Sequence, residues 1–343
     1  MLFEKLKEDR LIFIITFTLL AFGLVMVYSA SSVMAMKKFG DSAYFLKRQA
    51  LWALLGVVAM AAAWKVDYKK FRMLSLPLLG IVFVLLILAL VGPEINGARR
   101  WIRLGGFSFQ PSELTKPALV VFVAASLAKR MDRLQDFWYG LGPYLILTGT
   151  MVFLIALEPD LGTAAAISAA VMVMLFVAGA RPAHLGALAL AALPLLYVQL
   201  FRVGFRRNRL AAFMDPWSDP LGTGFQAIQS FLAFGGGGLS GLGLGESRQK
   251  LLFLPEPHND FIYSVIGEEF GLIGAMAVAL MFAAFVLLGL RLALRCRDNF
   301  GKFLAFGLTL TIGMQALVNM GVATGLFPNK GMPLPFVSYG GSS

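Results

Sequence analysis

Predominantly apolar stretches of eighteen or more residues return along the whole length of this chain. Each is long enough to cross a hydrocarbon core of roughly 30 Å. Bounded by charged or Gly/Pro-rich breaks, they fall at 11–32, 49–66, 73–92, 112–129, 140–157, 161–180, 183–201, 261–290 and 303–325. This pattern predicts an all-α polytopic membrane protein, a single transmembrane domain over 1–343 with nine spans. The balance of 58% hydrophobic against 14% charged residues excludes an ordinary soluble domain, which carries about a quarter charged. The first stretch, after "MLFEKLKEDR", has the length of a retained span rather than a cleaved signal. The last residues, "GMPLPFVSYGGSS", read as a Gly- and Ser-rich turn, and a tenth span is expected beyond them.

The formal net charge of +11 would suggest nucleic acid in a soluble protein. Here the cations sit in loops between spans, where anionic headgroups or lipid-linked anions are the natural partners, and no nucleic acid is expected. One cysteine, Cys296, precludes an internal disulfide, and with only His184 and His258 beside it a zinc site is not expected. Two connections exceed a simple turn, 93–111 and 202–260, and loops that long are usually functional or disordered. With 202–260 set aside, 15 Lys and Arg fall on the N-terminal side of the bundle and 8 on the other. The charge bias of short loops then predicts a cytoplasmic N-terminus and makes 202–260 a large extracytoplasmic loop.

Three constellations carry charge that an apolar bundle does not need. In "NGARRWIRLGGFSFQPSELTK", residues 96–116, Pro111 and Ser112 read as a helix start with Glu113 in its first turn. Glu113 and Lys116 share a helix face, either as an ion pair holding the helix end or, with Arg99, Arg100 and Arg103, as part of a diphosphate-binding cavity. In "FRVGFRRNRLAAFMDPWSDPLGTGFQAIQS", four arginines lie within eight positions on the side the charge rule disfavours. They serve either lipid headgroups or recognition of an anion. The glycines of "DPLGTG" and "GGGGLSGLGLG" supply turns and close backbone approach; lacking a Walker ending and a preceding strand, they hold no nucleotide.

The third is "LPEPHNDFIYSVIGEEFG". Asp260 stands where loop becomes span, as a helix cap or as a functional carboxylate. His258 is a headgroup-level residue or an alternative base. Glu268 and Glu269 lie roughly 12–14 Å deeper by helical rise. There they must face the bundle interior, protonated or paired, and they keep an ion path, and hence a transporter, open as a reading. The absence of a convincing internal repeat weighs against an inverted-repeat transporter.

"VMVYSASS", "LKRQ", "INGARRWIRLGGFSFQPSELTKPA", "EPDLGT", "DPLGTGFQAIQS", "GLGLGESRQKLLFLPEPHNDFIYSVIGEEFG" and "NMGVATGLFPNKGMPLPFVSYGGSS" occur in an order that resembles the SEDS proteins (shape, elongation, division and sporulation), typified by RodA and FtsW. The resemblance spans nearly the whole chain, and the approach to "LPEPHNDF" looks more like the division branch. It implies a ten-span fold and a peptidoglycan glycosyltransferase that polymerises lipid II at the outer leaflet of the bacterial cytoplasmic membrane. Its partners would be a class B penicillin-binding protein and other division or elongation machinery. The family's essential acidic residue falls on Asp260. Its cavity positions fall on Arg48, Arg100, Glu113, Lys116, Asp160 and Arg209, with Lys330 a looser match. Phe225 and Tyr263 depart from the common residues at their positions.

The implied reaction joins the 4-hydroxyl of one lipid-linked sugar to the anomeric carbon of another and releases undecaprenyl diphosphate. A hydroxyl needs a base for its proton, which is the role expected of Asp260. The leaving diphosphate needs positive charge, from Arg and Lys and from Mg²⁺ or another divalent cation if Asp260 holds one. The rival readings are a lipid II flippase and a division scaffold.

Overall fold

The computed structural model describes residues 8–94, 98–104, 107–201, 204–251 and 253–340. Among these residues eleven α-helices run in the order α1 Glu8–Phe39, α2 Tyr44–Lys65, α3 Tyr68–Val91, α4 Pro111–Arg130, α5 Gly142–Leu157, α6 Leu161–Val177, α7 Pro182–Phe201, α8 Gly204–Met214, α9 Phe225–Gly237, α10 Ile262–Arg295 and α11 Asn299–Ala323. A two-stranded hairpin, β1 Ile102–Leu104 and β2 Phe107–Phe109, pairs antiparallel between α3 and α4. Each of the nine predicted stretches forms a helix. Among the described residues seven helices are long and apolar enough to cross a membrane. The other two differ for clear reasons: α4 carries Glu113, Lys116, Lys129 and Arg130, and α6 has only 17 residues.

Lipid gives helices no hydrophobic reason to associate, so close packing of side chains and small residues must hold them. Two cores do this. One gathers Leu86, Leu119, Val123, Tyr144, Ile155 and Met174 from α3 to α6, with Phe300 and Phe303 of α11. The other gathers Leu19, Met26 and Val27 of α1 against Ile262, Val265, Ile266 and Phe282 of α10 and Ala316 of α11. Helix α11 joins both. A side chain at Gly307 would meet Met174 and Val120 within 2.8 Å, so glycine lets α11 lie against α4 and α6.

The helices alternate direction, which sorts the connections to two ends. At one end Arg295 pairs with Glu8, and Tyr68 donates to Asp298. At the other end lie the α1–α2 turn, the hairpin, the α5–α6 turn, the segment 202–260 and the residues after α11. Part of 202–260 does not stay at that end. Helix α9 packs along α10, Ser230 meeting Ser264 at 2.6 Å. The chain then doubles back through 238–251 beside the break in α10 at Gly271 (φ 66°, ψ −164°). The backbone groups of the broken helix are satisfied there. Leu242 and Gly243 donate to the carbonyls of Glu268 and Glu269 at 3.0 Å, and Leu272 donates to Gly238 at 2.9 Å. Non-helical backbone at membrane depth persists only where protein satisfies it in this way. A Cβ at Gly271 would fall 2.4 Å from the Gly241 nitrogen, so only glycine permits the contact.

This re-entrant arrangement explains the two buried glutamates. Glu269 pairs with Lys250 at 2.8 Å and accepts from Ser29 at 2.6 Å. Glu268 accepts from Ser247 at 2.5 Å and from the Arg248 and Gln249 amides. Both are almost fully buried, as is Lys250. They clasp 247–250 to α10 and α1, and no chain of further charges leads from them along the bundle among the described residues.

Candidate active site

The second end of the bundle contains a cavity of about 330 Å³. All eight positions matched to the family's essential acid and cavity line it: Arg48, Arg100, Glu113, Lys116, Asp160, Arg209, Asp260 and Lys330. They come from α2, the approach to the hairpin, α4, the α5–α6 turn, α8, the entry to α10 and the segment after α11. Only the fold brings them together.

Asp260 is partly buried at the start of α10. It is not the helix cap: Phe261 holds that position, and no side chain caps the first turn. Among the described residues no hydrogen bond ends on the Asp260 carboxylate. Its backbone is held instead, the Asn319 amide donating to its carbonyl at 2.9 Å and to that of Met332 at 2.7 Å. Burial pushes its pKa up to about 6; the charge of Glu256 adds to this, and Arg209 and Arg100 oppose it. A carboxylate in this state is ionised at neutral pH yet accepts a proton more readily than a free aspartate.

The cations around it are held differently from one another. Arg209, on α8, donates from Nη1 to the Asn329 carbonyl at 3.3 Å. Arg100 carries a buried Nε without a partner among the described residues. Arg48 donates to the Tyr44 hydroxyl at 2.9 Å and lies over that ring. Lys116 is buried and committed, to Glu113 at 2.7 Å and to Gln315 Oε1 at 2.7 Å. The Glu113–Lys116 pair is thus a tight ion pair that also lines the cavity. Asp160 caps α6 through the Thr163 amide at 3.0 Å and accepts from Gln110 Nε2 at 3.1 Å. Next to it Glu158 is fully buried with neither oxygen bonded among the described residues. Burial raises its pKa to about 8, Asp160 adding and Arg100 opposing, so at neutral pH it is mostly protonated.

His258 is not on the cavity. Its ring is buried between Phe45, 4.3 Å away, and Tyr339 at 5.5 Å. Burial lowers its pKa to about 4, with Lys38 acting in the same direction. Its carbonyl accepts from the Tyr339 amide at 2.9 Å. Arg99 is exposed and lies 3.8 Å from Glu94. Arg202 and the side chains of Arg103 and Arg206 fall outside the described residues.

The segment after α11 supplies what sequence reasoning missed. It threads back among α1, α2, α10 and α11 as a cavity wall rather than a surface turn. Gln49 donates to the Ser338 carbonyl, Ser338 to that of Asn259, and Gln315 to that of Pro333, at 2.7–3.2 Å. A side chain on Gly331 (φ 59°) would come within 3.2 Å of Asp260 Oδ2. Gln315 and Asn319, four apart within an apolar helix, were the signal for this wall, since polar groups at that depth need partners. Among the described residues no three His, Cys, Asp or Glu side chains converge as a metal site. Asp260 and Glu256, both on the cavity, are a donor set for a hard cation that takes one or two carboxylates and completes its shell from phosphate and water.

Several apolar helices, with a charge-lined chamber at the end of their bundle, define a multi-pass α-helical membrane protein. The family model described as cell cycle protein, of FtsW, RodA and SpoVE, matches residues 9–343, and the chain belongs to that family. It is 51% identical to a probable peptidoglycan glycosyltransferase FtsW of Geobacter sulfurreducens, over 98% of this chain and 91% of that relative. It is 45% identical to stage V sporulation protein E of Bacillus subtilis, over 99% and 94%. Among solved structures it is similar to a chain of a peptidoglycan synthase complex (33% identity, 96% and 91% covered, TM-score 0.79). It is also similar to the rod shape determining protein RodA of Thermus thermophilus (30%, 96% and 90%, TM-score 0.71).

Proposed function

We infer that this chain is a peptidoglycan glycosyltransferase of the FtsW type, polymerising lipid II into glycan strands with release of undecaprenyl diphosphate. The observation that carries this reading is the Asp260 carboxylate, free of hydrogen bonds from described residues and in the field of Arg209 and Arg100, which line the same chamber of clustered charge. Asp260 is the general base for the 4-hydroxyl of the acceptor sugar, its raised pKa matching the task. Arg100, Arg209, Lys330 and Arg48 face the diphosphate, whose charge grows as the glycosidic bond breaks. Guanidinium forks suit its oxygens. Lys116, neutralised in part by Glu113, fixes the chamber wall and adds a weaker field. In the alternative version Asp260 is not the base but, with Glu256 beside it on the cavity, holds Mg²⁺ or another divalent cation, which would supply neutralisation of the diphosphate when bound. If so, chelation lowers turnover of the wild type and excess Mg²⁺ restores it.

The cavity opens toward the outer leaflet and the N-terminus is cytoplasmic. Cys296 lies at the opposite end of the bundle from Asp260, so an impermeant thiol reagent should leave it unlabelled in intact cells. It should label Asp219→Cys in a Cys296→Ser background. The reverse pattern inverts the protein. A class B penicillin-binding protein is the partner that cross-links the product, and the role is in cell division; co-purification with a division-type rather than an elongation-type transpeptidase tests both.

Detergent-solubilised protein supplied with lipid II separates the enzyme from its rivals, because no membrane remains across which to move a substrate. Polymer formed by the wild type is the result expected. Transfer between liposome leaflets without polymer would establish a flippase instead.

A further inference from the structure

A second cavity, of about 440 Å³, lies at the same end of the bundle. It is walled by α8, the 216–224 turn, the start of α9 and the residues after α11, and none of the roles above uses it. The two cavities share Arg209. They also divide one pair of neighbours: Asp260 faces the charged chamber and Phe261 faces the second cavity. The partition between them is a chain of hydrogen bonds. Arg209 reaches the Asn329 carbonyl at 3.3 Å, and the Asn329 side chain donates to Gln226 Oε1 at 2.5 Å.

We propose that this second cavity is a saccharide subsite for an N-acetylated hexosamine chain, placed so that the sugar reaches Asp260 past Arg209. The proposal rests on the glycosyltransferase reading and extends it. The lining combines the rings of Phe213, Phe225 and Phe327 with the amides of Gln226 and Asn329. Aromatic faces suit the C–H faces of pyranose rings, and planar amides suit hydroxyl and acetamido groups. Apart from Arg209 no charged residue among the described ones lines it, which favours the first chamber for a diphosphate. Its walls include α8, the 216–224 turn and 325–329, all outside the candidate spans. A polyprenyl tail stays at bilayer depth, whereas a sugar rides above it. The reaction joins two lipid-linked saccharides, so one chamber for diphosphate leaves a second sugar to be held. It comes from either the growing strand or the incoming precursor.

The test uses full-length protein in detergent with Phe213→Ala, which removes a wall, and Thr223→Trp, which fills the space. Melting temperatures establish that both variants fold. A labelled peptidoglycan tetrasaccharide without lipid or diphosphate is titrated in the absence of turnover. At least fivefold weaker binding by both variants, with unchanged inhibition by undecaprenyl diphosphate, is the expected result. If the strand occupies the site, the variants also make shorter glycan at equal lipid II consumption. If the precursor does, KM for lipid II rises at unchanged chain length. Equal tetrasaccharide binding by wild type and variants overturns the subsite, as does competition at these residues by a polyprenyl monophosphate instead of sugar. Failure of the wild type to make any polymer would strike the glycosyltransferase reading itself and is seen separately.

Discussion

Two clusters of charge lie within this bundle, and their carboxylates meet opposite fates. Around Glu268 and Glu269 every carboxylate oxygen has a partner, from Lys250, Ser29, Ser247 or a backbone amide. Around Asp260 the carboxylate is left unbonded among the described residues and the cations face a void. Burial is therefore not what separates structure from function here, since both clusters are shielded. Saturation differs: among the described residues the Glu268–Glu269 network is closed, whereas the Asp260 carboxylate accepts no hydrogen bond. Glu113–Lys116 stands between them, satisfied internally yet on the cavity wall.

The largest expected effect breaks the saturated cluster. Lys250→Met leaves Glu269 buried without its cation and should cost about 3–5 kcal/mol of stability, read as a fall in unfolding midpoint. The double variant Lys250→Met, Glu269→Leu should recover most of it, because the charge and its partner leave together. If the single variant folds as well as wild type, the clasp is not structural. In the unsaturated cluster, Arg209→Ala should instead spare stability and lower kcat/KM for lipid II about 10²-fold, the usual scale for one preorganised donor to developing charge. Gly331→Ala sharpens the contrast further. Its methyl group would crowd Asp260 Oδ2 on a left-handed backbone, and roughly tenfold slower turnover, about 1.4 kcal/mol, is expected in steady-state kinetics.

The pH profile is a milder probe. A base with a pKa of about 6 must be ionised to act, so turnover should rise with pH through about 6 and level off above it. The same shift acts on stability in the opposite sense. A carboxyl whose folded pKa exceeds its free value stabilises the fold only while protonated, and that contribution is lost as pH rises through about 6. The smallest effect belongs to His258→Phe: a buried ring against Phe45 and Tyr339, replaced by one of similar size, should cost less than about 1.5 kcal/mol and leave turnover within about twofold. A tenfold loss would return His258 to the site.

Much of this was legible in the sequence, for reasons that differ by residue. Long apolar runs mark helices because lipid forces backbone groups to pair within a segment, so all nine stretches appear as helices. Charges in such runs are costly, and this drew attention to Glu113, Lys116 and both buried glutamates, while Asp260 stood out at the mouth of a run and by the family resemblance. What the pattern lacks is connectivity in space. Nothing local to Lys250 says that it will meet Ser29 and Glu269, and a Gly-rich string reads as a turn whether it lies on the surface or beside a broken helix. His258 stood open as a headgroup-level residue or an alternative base, but the Tyr339 segment folds over it. Gly331 is a turn residue in sequence and a neighbour of the Asp260 carboxylate only after that segment threads back.

The most direct measurement pairs thermal unfolding with lipid II polymerisation for Asp260→Asn in purified protein at pH 7.5. Removing an unsaturated charge should leave the melting temperature unchanged or higher and abolish polymer. A well-folded Asp260→Asn protein that polymerises lipid II like the wild type would remove this carboxylate from the chemistry.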